Sequence, residues 1–237
     1  MVINKEHLRE NARSAGAELT DEMLEKFDLL AEMLIEQNKT MNLTAIKEPD
    51  EIVVKHFADS LSVFSVISPE PGARILDLGT GAGFPGIPML IAKPDISLTM
   101  VDSTAKKLKY VASAVDALGL SAEVLHARAE EAGQDPAYRE KYDFVCSRAV
   151  AALNVLCEYC LPFVKVGGTF VAMKSAKAEE EIAQAKQSIR LLGGKITEKK
   201  TFSLSDGGER MLICIKKISQ TSPKYPRPSA QISKKPL

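Results

Sequence analysis

The chain has 237 residues, 45% of them apolar and 26% charged, which suits a soluble domain with a real buried core and one flanking element. Lysine plus arginine equals aspartate plus glutamate at 31 each, so global charge names no partner, yet no acid follows Glu209 while Arg210, Lys216, Lys217, Lys224, Arg227, Lys234 and Lys235 do. A basic end of this kind invites a polyanion, with a solvated tail as the plain alternative.

Taken in chain order, MVINKEHLRE is charged rather than apolar, so no signal peptide is expected, and no run approaches the ~20 apolar residues of a membrane span. A cytoplasmic location follows as the expectation. The first 70 residues read as helices. Thr20-Asp21-Glu22 begins one whose Leu24, Phe27, Ala31, Leu34 and Ile35 recur at helical spacing to about Met41. NLTAIKEPD breaks it, and Pro49-Asp50 opens another through EIVVKHFADSLSVF.

From Arg74 the pattern alternates. Short β-rich runs occur at RILDLG, SLTMVD, AEVLHA, YDFVCS and GTFVAMK. Between them lie the helical segments GIPMLIA, TAKKLKYVASAVDALG and ALNVLCEYCLPFV. A polar helix, AKAEEEIAQAKQSIRLLG, then precedes KITEKKTFSL and ERMLICIKKI, two strands joined by the hairpin-type SDGG. Strictly alternating βα units imply a parallel sheet with helices on both faces. Seven strands ending in a hairpin are what a class I methyltransferase sheet requires. The segment from Thr221, with four prolines, reads as an extended arm. The organisation expected is a helical extension over 1–70, an α/β domain over 71–219 and a basic arm over 220–237.

The four cysteines form no disulfide framework. Cys157 and Cys160 make a C-x-x-C inside a helix, no second pair completes a zinc site, and the three histidines are scattered. Reduced, half-buried thiols and no metal are expected.

The chemistry gathers at DLGTGAGFPG, residues 77–86, directly after the first strand. Gly79, Gly81 and Gly83 let the backbone turn tightly and approach a ligand. A pyrophosphate would want free N–H groups at the next helix, where Pro85 and Pro88 have none. Asp77 at the strand end repels phosphate and suits an ammonium or sulfonium. Asp102, ending the next strand, can take both hydroxyls of a ribose. Ala129 and Glu130 could present backbone and carboxylate to an adenine edge, or simply form an acidic helix start. Arg148, ending the fourth strand before AVAA, faces the pocket or makes a structural ion pair. S-adenosylmethionine is favoured over a nicotinamide cofactor.

NLTAIKEPDEIVVKHFADSL, DLGTGAGFPGIPMLIA, ARAEE and SRAVAAL, with a weaker KYPR near the end, together resemble the small-subunit (16S) rRNA methyltransferase G family, also called GidB, from about Asn38 onward. The resemblance implies methyl transfer from S-adenosylmethionine to N7 of one guanine in 16S rRNA, or in the small ribosomal subunit. It places cofactor contacts on Gly79, Phe84, Ala129, Glu130 and Arg148; strand-end reasoning adds Asp77 and Asp102, and the turn of the glycine loop adds Gly81 and Gly83. Thr80 stands where the family commonly has serine, and the tail after YPR departs from the family's usual form.

Guanine N7 has a lone pair and no proton, so no general base is expected and no catalytic residue is assigned; positioning is the task. Phosphate contacts are expected from Lys106, Lys107 and Lys109 and, in the tail, from Lys224, Arg227, Lys234 and Lys235, while Arg148 could bridge cofactor and RNA substrate. The NLTAI–HFADSL region is expected to face RNA as well, with His56 and Asp59 either touching RNA or forming a structural pair. Nothing demands a dimer. The alternatives are a class I methyltransferase for a small molecule or protein, a nicotinamide oxidoreductase, and a non-catalytic rRNA-binding assembly factor.

Overall fold

Asn4 accepts a hydrogen bond from the His7 amide and starts α1 (Lys5–Ser14); Thr20 does the same for Met23 and starts α2 (Asp21–Met41). The computed structural model describes residues 2–148, 150–175 and 178–237. Asn42, in the left-handed region at φ 48°, ends α2. Pro49 then opens α3 (Pro49–Ile52). The sequence predicts one helix through this stretch. The structure holds α3, a π-helical turn over Val53–Ala58, α4 (Asp59–Leu61) and a 3-10 turn over Ser62–Ser65.

Seven strands follow: β1 (Arg74–Leu78), β2 (Ser97–Asp102), β3 (Glu123–His126), β4 (Tyr142–Arg148), β5 (Val164–Ser175), β6 (Gly194–Ser203) and β7 (Glu209–Lys217). They form one sheet in the order β3-β2-β1-β4-β5-β7-β6. All neighbours are parallel except β7, which runs antiparallel to both β5 and β6. The order reverses between β1 and β4, so the sheet's crevice opens there. β5 starts four residues before the GTFVAMK run, because Val164 already pairs with Tyr142 ahead of a register shift.

Period-two alternation splits the strands between two cores. Ile75, Leu98, Met100 and Cys146 face α5 (Gly86–Ala92), α6 (Ala105–Ala117) and the helices that precede the sheet. Leu76, Leu78, Val101 and Val145 face α8 (Leu153–Cys160) and α9 (Glu179–Leu191). The sequence-predicted start of α9 at Ala176 and Lys177 lies outside the described residues. Residues before 70 share the first core: Phe27 packs on Phe57 at 5.0 Å between ring centroids, and Phe57 on Phe84 at 6.1 Å.

The structure corrects two expectations here. The cysteines are fully buried rather than half-buried, and burial pushes the thiols of Cys146, Cys157, Cys160 and Cys214 up. The residues from Thr221 are not an extended arm. They form a strap that buries Tyr225 and Ile232 and ends in α10 (Ser229–Lys234), because these two apolar side chains have a surface to cover.

Candidate cofactor cleft

Beyond the carboxyl ends of β1, β2 and β4 lies an open cleft of about 340 Å³, within the range of about 300–1,000 Å³ usual for small-ligand sites. A larger groove, about 830 Å³, runs between α2 and α6 and contains none of the glycine-loop residues. The cleft sits at the sheet's reversal point and carries the loop, so it is the candidate site.

Three glycines shape that loop, at φ 72° for Gly79, 59° for Gly81 and 91° for Gly83. The amides of Gly79 and Thr80 both donate to the Val101 carbonyl, tying β1 to β2. A Cβ at Gly79 would stand 2.5 Å from Val150 Cγ2, and one at Gly83 2.4 Å from Ile87 Cδ1. The first would crowd the cleft and the second the core.

Asp77 lies on the Ile75 face of β1, directed at α5 rather than into the cleft. Its Oδ2 accepts from Thr80 Oγ1 at 2.6 Å and from the Gly86 amide at 2.9 Å; its Oδ1 is buried with no hydrogen-bond partner. Burial pushes this carboxyl up to about 6 in spite of those two bonds. The start of α5 is therefore already filled. Gly86 N–H goes to Asp77, Ile87 N–H to the Gly83 carbonyl and Met89 N–H to the Pro85 carbonyl, and Pro88 has no N–H. A pyrophosphate finds no donors there.

Asp102 is half-buried at the cleft. Its Oδ2 accepts from Gly81 N–H at 3.0 Å and its Oδ1 from Thr104 N–H at 2.8 Å, which leaves each oxygen a lone pair for a hydroxyl. Across the opening, α7 (Ala129–Ala132) begins with Ala129 and Glu130, both lining the cleft. The Glu130 side chain is 13% exposed, with Arg128 3.9 Å away at the rim. Carboxylates for a diol and an exocyclic amine, beside a helix start closed to phosphate, fit an adenosine without a pyrophosphate.

Arg148 closes the side nearest the π-helical turn. Its Nη1 donates to Asp59 Oδ2 and to the Lys55 carbonyl, each at 3.0 Å, and its Nη2 to His56 Nδ1 at 3.1 Å. Asp59 Oδ1 also takes Arg210 Nε at 3.2 Å. His56 stacks on Phe84, 4.5 Å between centroids and 2° from parallel, and its Nε2 lies 2.8 Å from Thr44 Oγ1. With Nδ1 accepting, Nε2 carries the proton; burial, with Arg148 adding to it, holds the ring neutral and its pKa down to about 3. Asn38 in turn bonds both the amide and the carbonyl of Thr44. The NLTAI–HFADSL region therefore does not offer His56 and Asp59 to RNA: both are buried, and they brace the cleft.

Of the nine sequence-predicted cofactor residues, the cleft brings together Gly79, Gly81, Asp102, Ala129, Glu130 and Arg148. Asp77, Gly83 and Phe84 lie behind the loop and shape it. Lys107 lines the mouth, and Ala149 lies outside the described residues. Sequence reasoning missed Tyr159 and Ser229, which also line the cleft. Among the described residues no cluster of His, Cys, Asp and Glu could hold a metal ion, and no helix is long and apolar enough to cross a membrane.

The basic end is also partly spent internally. Arg210 pairs with Asp59, Lys217 is buried beside Glu140, and Arg227, expected at RNA, binds Glu158 with its Nη2 2.6 Å from Oε2. A fully buried Glu158 demands a cation, which is the physical reason Arg227 turns inward. Lys224, Lys234 and Lys235 remain exposed.

The sheet order and the antiparallel β7 are those of the class I S-adenosylmethionine-dependent methyltransferase fold. The fold is shared with a SAM-dependent methyltransferase from Aquifex aeolicus (TM-score 0.53, 18% identity, 73% of this chain and 96% of that one). It is shared equally with the [4+2]-cyclase SpnF (TM-score 0.54, 15% identity, 68% and 82%), so the fold alone leaves the reaction open. Sequence closes it. Residues 23–212 match the family model GidB, rRNA small subunit methyltransferase G. Proteins called ribosomal RNA small subunit methyltransferase G from Pelotomaculum thermopropionicum and Acetivibrio thermocellus are 45% and 47% identical, over 100% and 97% of this chain and 100% and 95% of theirs. The chain belongs to the rRNA small subunit methyltransferase G family.

Proposed function

We propose that the cleft delivers the methyl group of S-adenosylmethionine to guanine N7 in 16S rRNA. The observation that carries the cofactor assignment is the Asp77-filled start of α5 beside the cleft-facing Asp102 and Glu130. S-adenosylmethionine, when bound, supplies an electrophilic methyl on a positively charged sulfur. Asp102 would accept the ribose hydroxyls, Ala129 and Glu130 would meet the adenine edge, and Gly79 and Gly81 would let the backbone close on the ligand. Asp77, Gly83 and Phe84 act through the loop, which they hold in shape.

The chain's own part in the reaction is positioning. Guanine N7 carries an in-plane lone pair and attacks without losing a proton, so no base is needed, and alignment alone is worth several kcal/mol, on the order of 7–11 at best. Arg148 stands at the cleft wall, pinned by Asp59 and His56, where the cofactor and an incoming base would meet. The target nucleotide must leave its stack to enter. Exposed Lys106, Lys224, Lys234 and Lys235, with Lys107 at the mouth, would hold phosphates. The family match supports action on ribosomal RNA, with the enzyme working in the cytoplasm as a monomer in this reading.

The test is transfer of labelled methyl to small ribosomal subunits from cells lacking this protein, beside subunits from normal cells. Label on the first alone, mapping to a guanine N7, is the expected outcome. Label on neither, despite S-adenosylhomocysteine binding, would remove the substrate and keep the cofactor. Binding of NADH in its place would remove both.

A further inference from the structure

The structure assigns the C-terminal strap, residues 221–237, to the cofactor cleft as its wall at the purine end. This rests on the cofactor reading above and deepens it, because none of the strap was expected to touch the cleft.

Three observations carry it. First, Ser229, the opening residue of α10, lines the cleft together with Tyr159 of α8, and their hydroxyls lie 3.4 Å apart. Second, both stand on the side of the cleft made by α7, where Glu130 faces inward. The strap passes over the end of α7 so closely that a Cβ on Gly133 would meet Pro226 Cγ at 3.0 Å. Third, the strap is built to stay there. Arg227 donates from Nε to Glu158 Oε1 at 2.7 Å and from Nη2 to Oε2 at 2.6 Å, a two-point grip on a carboxylate with no exposure. The Arg227 amide adds a third bond to the same Oε1. Arg139 reaches the carbonyls of Thr221 and Tyr225 at 2.7 and 2.8 Å.

The strap's three exposed lysines stay free for phosphate, but its backbone is committed to the fold. Here the one arginine of the strap is consumed by the fold, and its carbonyls are held by another arginine. What the strap presents to the cleft is a small hydroxyl beside a phenol, suited to the edge of a purine rather than to phosphate. Glu158 and Arg227 are then positioning residues: they hold Ser229 where it meets the ligand. By linkage, a ligand that touches the strap must also hold it down.

The test uses the full chain and S-adenosylhomocysteine with no RNA present. Ser229→Trp, at a half-exposed position, should fold as the wild type by thermal melt yet bind S-adenosylhomocysteine about tenfold or more weakly, whereas Ser229→Ala should stay within about threefold. Arg227→Gln should weaken binding and speed tryptic cleavage after Lys224, and S-adenosylhomocysteine should slow that cleavage in the wild type. Wild-type affinity in both Ser229→Trp and Arg227→Gln, with rRNA methylation lost, would overturn the inference and return the strap to RNA. Should Arg227→Gln fail to fold, Ser229→Trp decides alone. A wild-type chain that does not bind S-adenosylhomocysteine would sink the cofactor reading and this inference with it, a result distinct from binding that ignores the strap.

Discussion

Arg148 Nη1 and Asp59 Oδ2 lie 3.0 Å apart, joining the end of β4 to a helical run 89 residues earlier in the chain. Asp59 is 5% exposed and serves Arg210 as well, so one carboxylate answers two guanidiniums. Removing it leaves both without their carboxylate. Asp59→Ala should cost about 3 kcal/mol in urea unfolding, the scale for breaking a buried pair. It should also weaken S-adenosylhomocysteine binding, since Arg148 loses its brace. Unchanged affinity in calorimetry would show that Arg148 needs no such support.

Thr80 tests the loop clamp. Its hydroxyl donates to Asp77 at 2.6 Å, a charge-assisted bond in a fully buried setting. Thr80→Ser keeps the donor and should stay within about 1 kcal/mol of wild type, while Thr80→Ala should lose about 2 kcal/mol. Equal melting temperatures for the two variants would refute the clamp.

Asp77 makes stability depend on pH with a definite sign. Its carboxyl is raised by burial from an ordinary 3.8 to about 6, so between those values the folded chain holds a proton that the unfolded chain has released. The favourable contribution is complete below about 4 and is lost as pH rises through about 6. Asp77→Asn cannot ionise, so its stability relative to wild type should grow by up to about 3 kcal/mol from pH 4 to pH 7. A difference between the two proteins that stays flat across that interval would place the carboxyl at its ordinary value.

The exposed lysines of the strap address RNA separately. Lys224, Lys234 and Lys235 replaced together by Gln should lower the slope of log affinity against log salt by about 2, following about 0.7 per phosphate on a single strand. Cofactor affinity measured without RNA should not move. An unaltered slope would leave these lysines without a phosphate to hold.

The strand–helix alternation was legible from residue 74 on because each element carries its own period: GIPMLIA and SLTMVD coincide with α5 and β2 to the residue. The hairpin ending was legible too, since turn chemistry is local. The lining of the candidate cleft was legible where a strand end fixes direction, as at Asp102 and Arg148. It was not where the side chain's partner is distant. Asp77 follows strand parity onto the α5 face, and Phe84 leaves the cleft to stack on His56, 28 residues away in sequence. Arg227 looked like an RNA contact because nothing near it in sequence is acidic. One signal did point to it: Glu158 stands alone among the apolar residues of ALNVLCEYCLPF, and an acid in such a helix must find a cation somewhere.

Placing β7 between β5 and β6 leaves the sheet with two outer strands, β3 and β6, and both are poor templates for another chain. β3 has only four residues. β6 is longer, but its pairing is irregular between Ile196 and Glu198, and Lys195, Glu198 and Lys199 stand exposed along it. Short, bulged and charged edges resist strand-to-strand addition. Both margins of the sheet thus discourage copies of the chain from pairing edge to edge, and at β3 the same shortness lets the chain turn at once into the cleft wall at Ala127–Glu130.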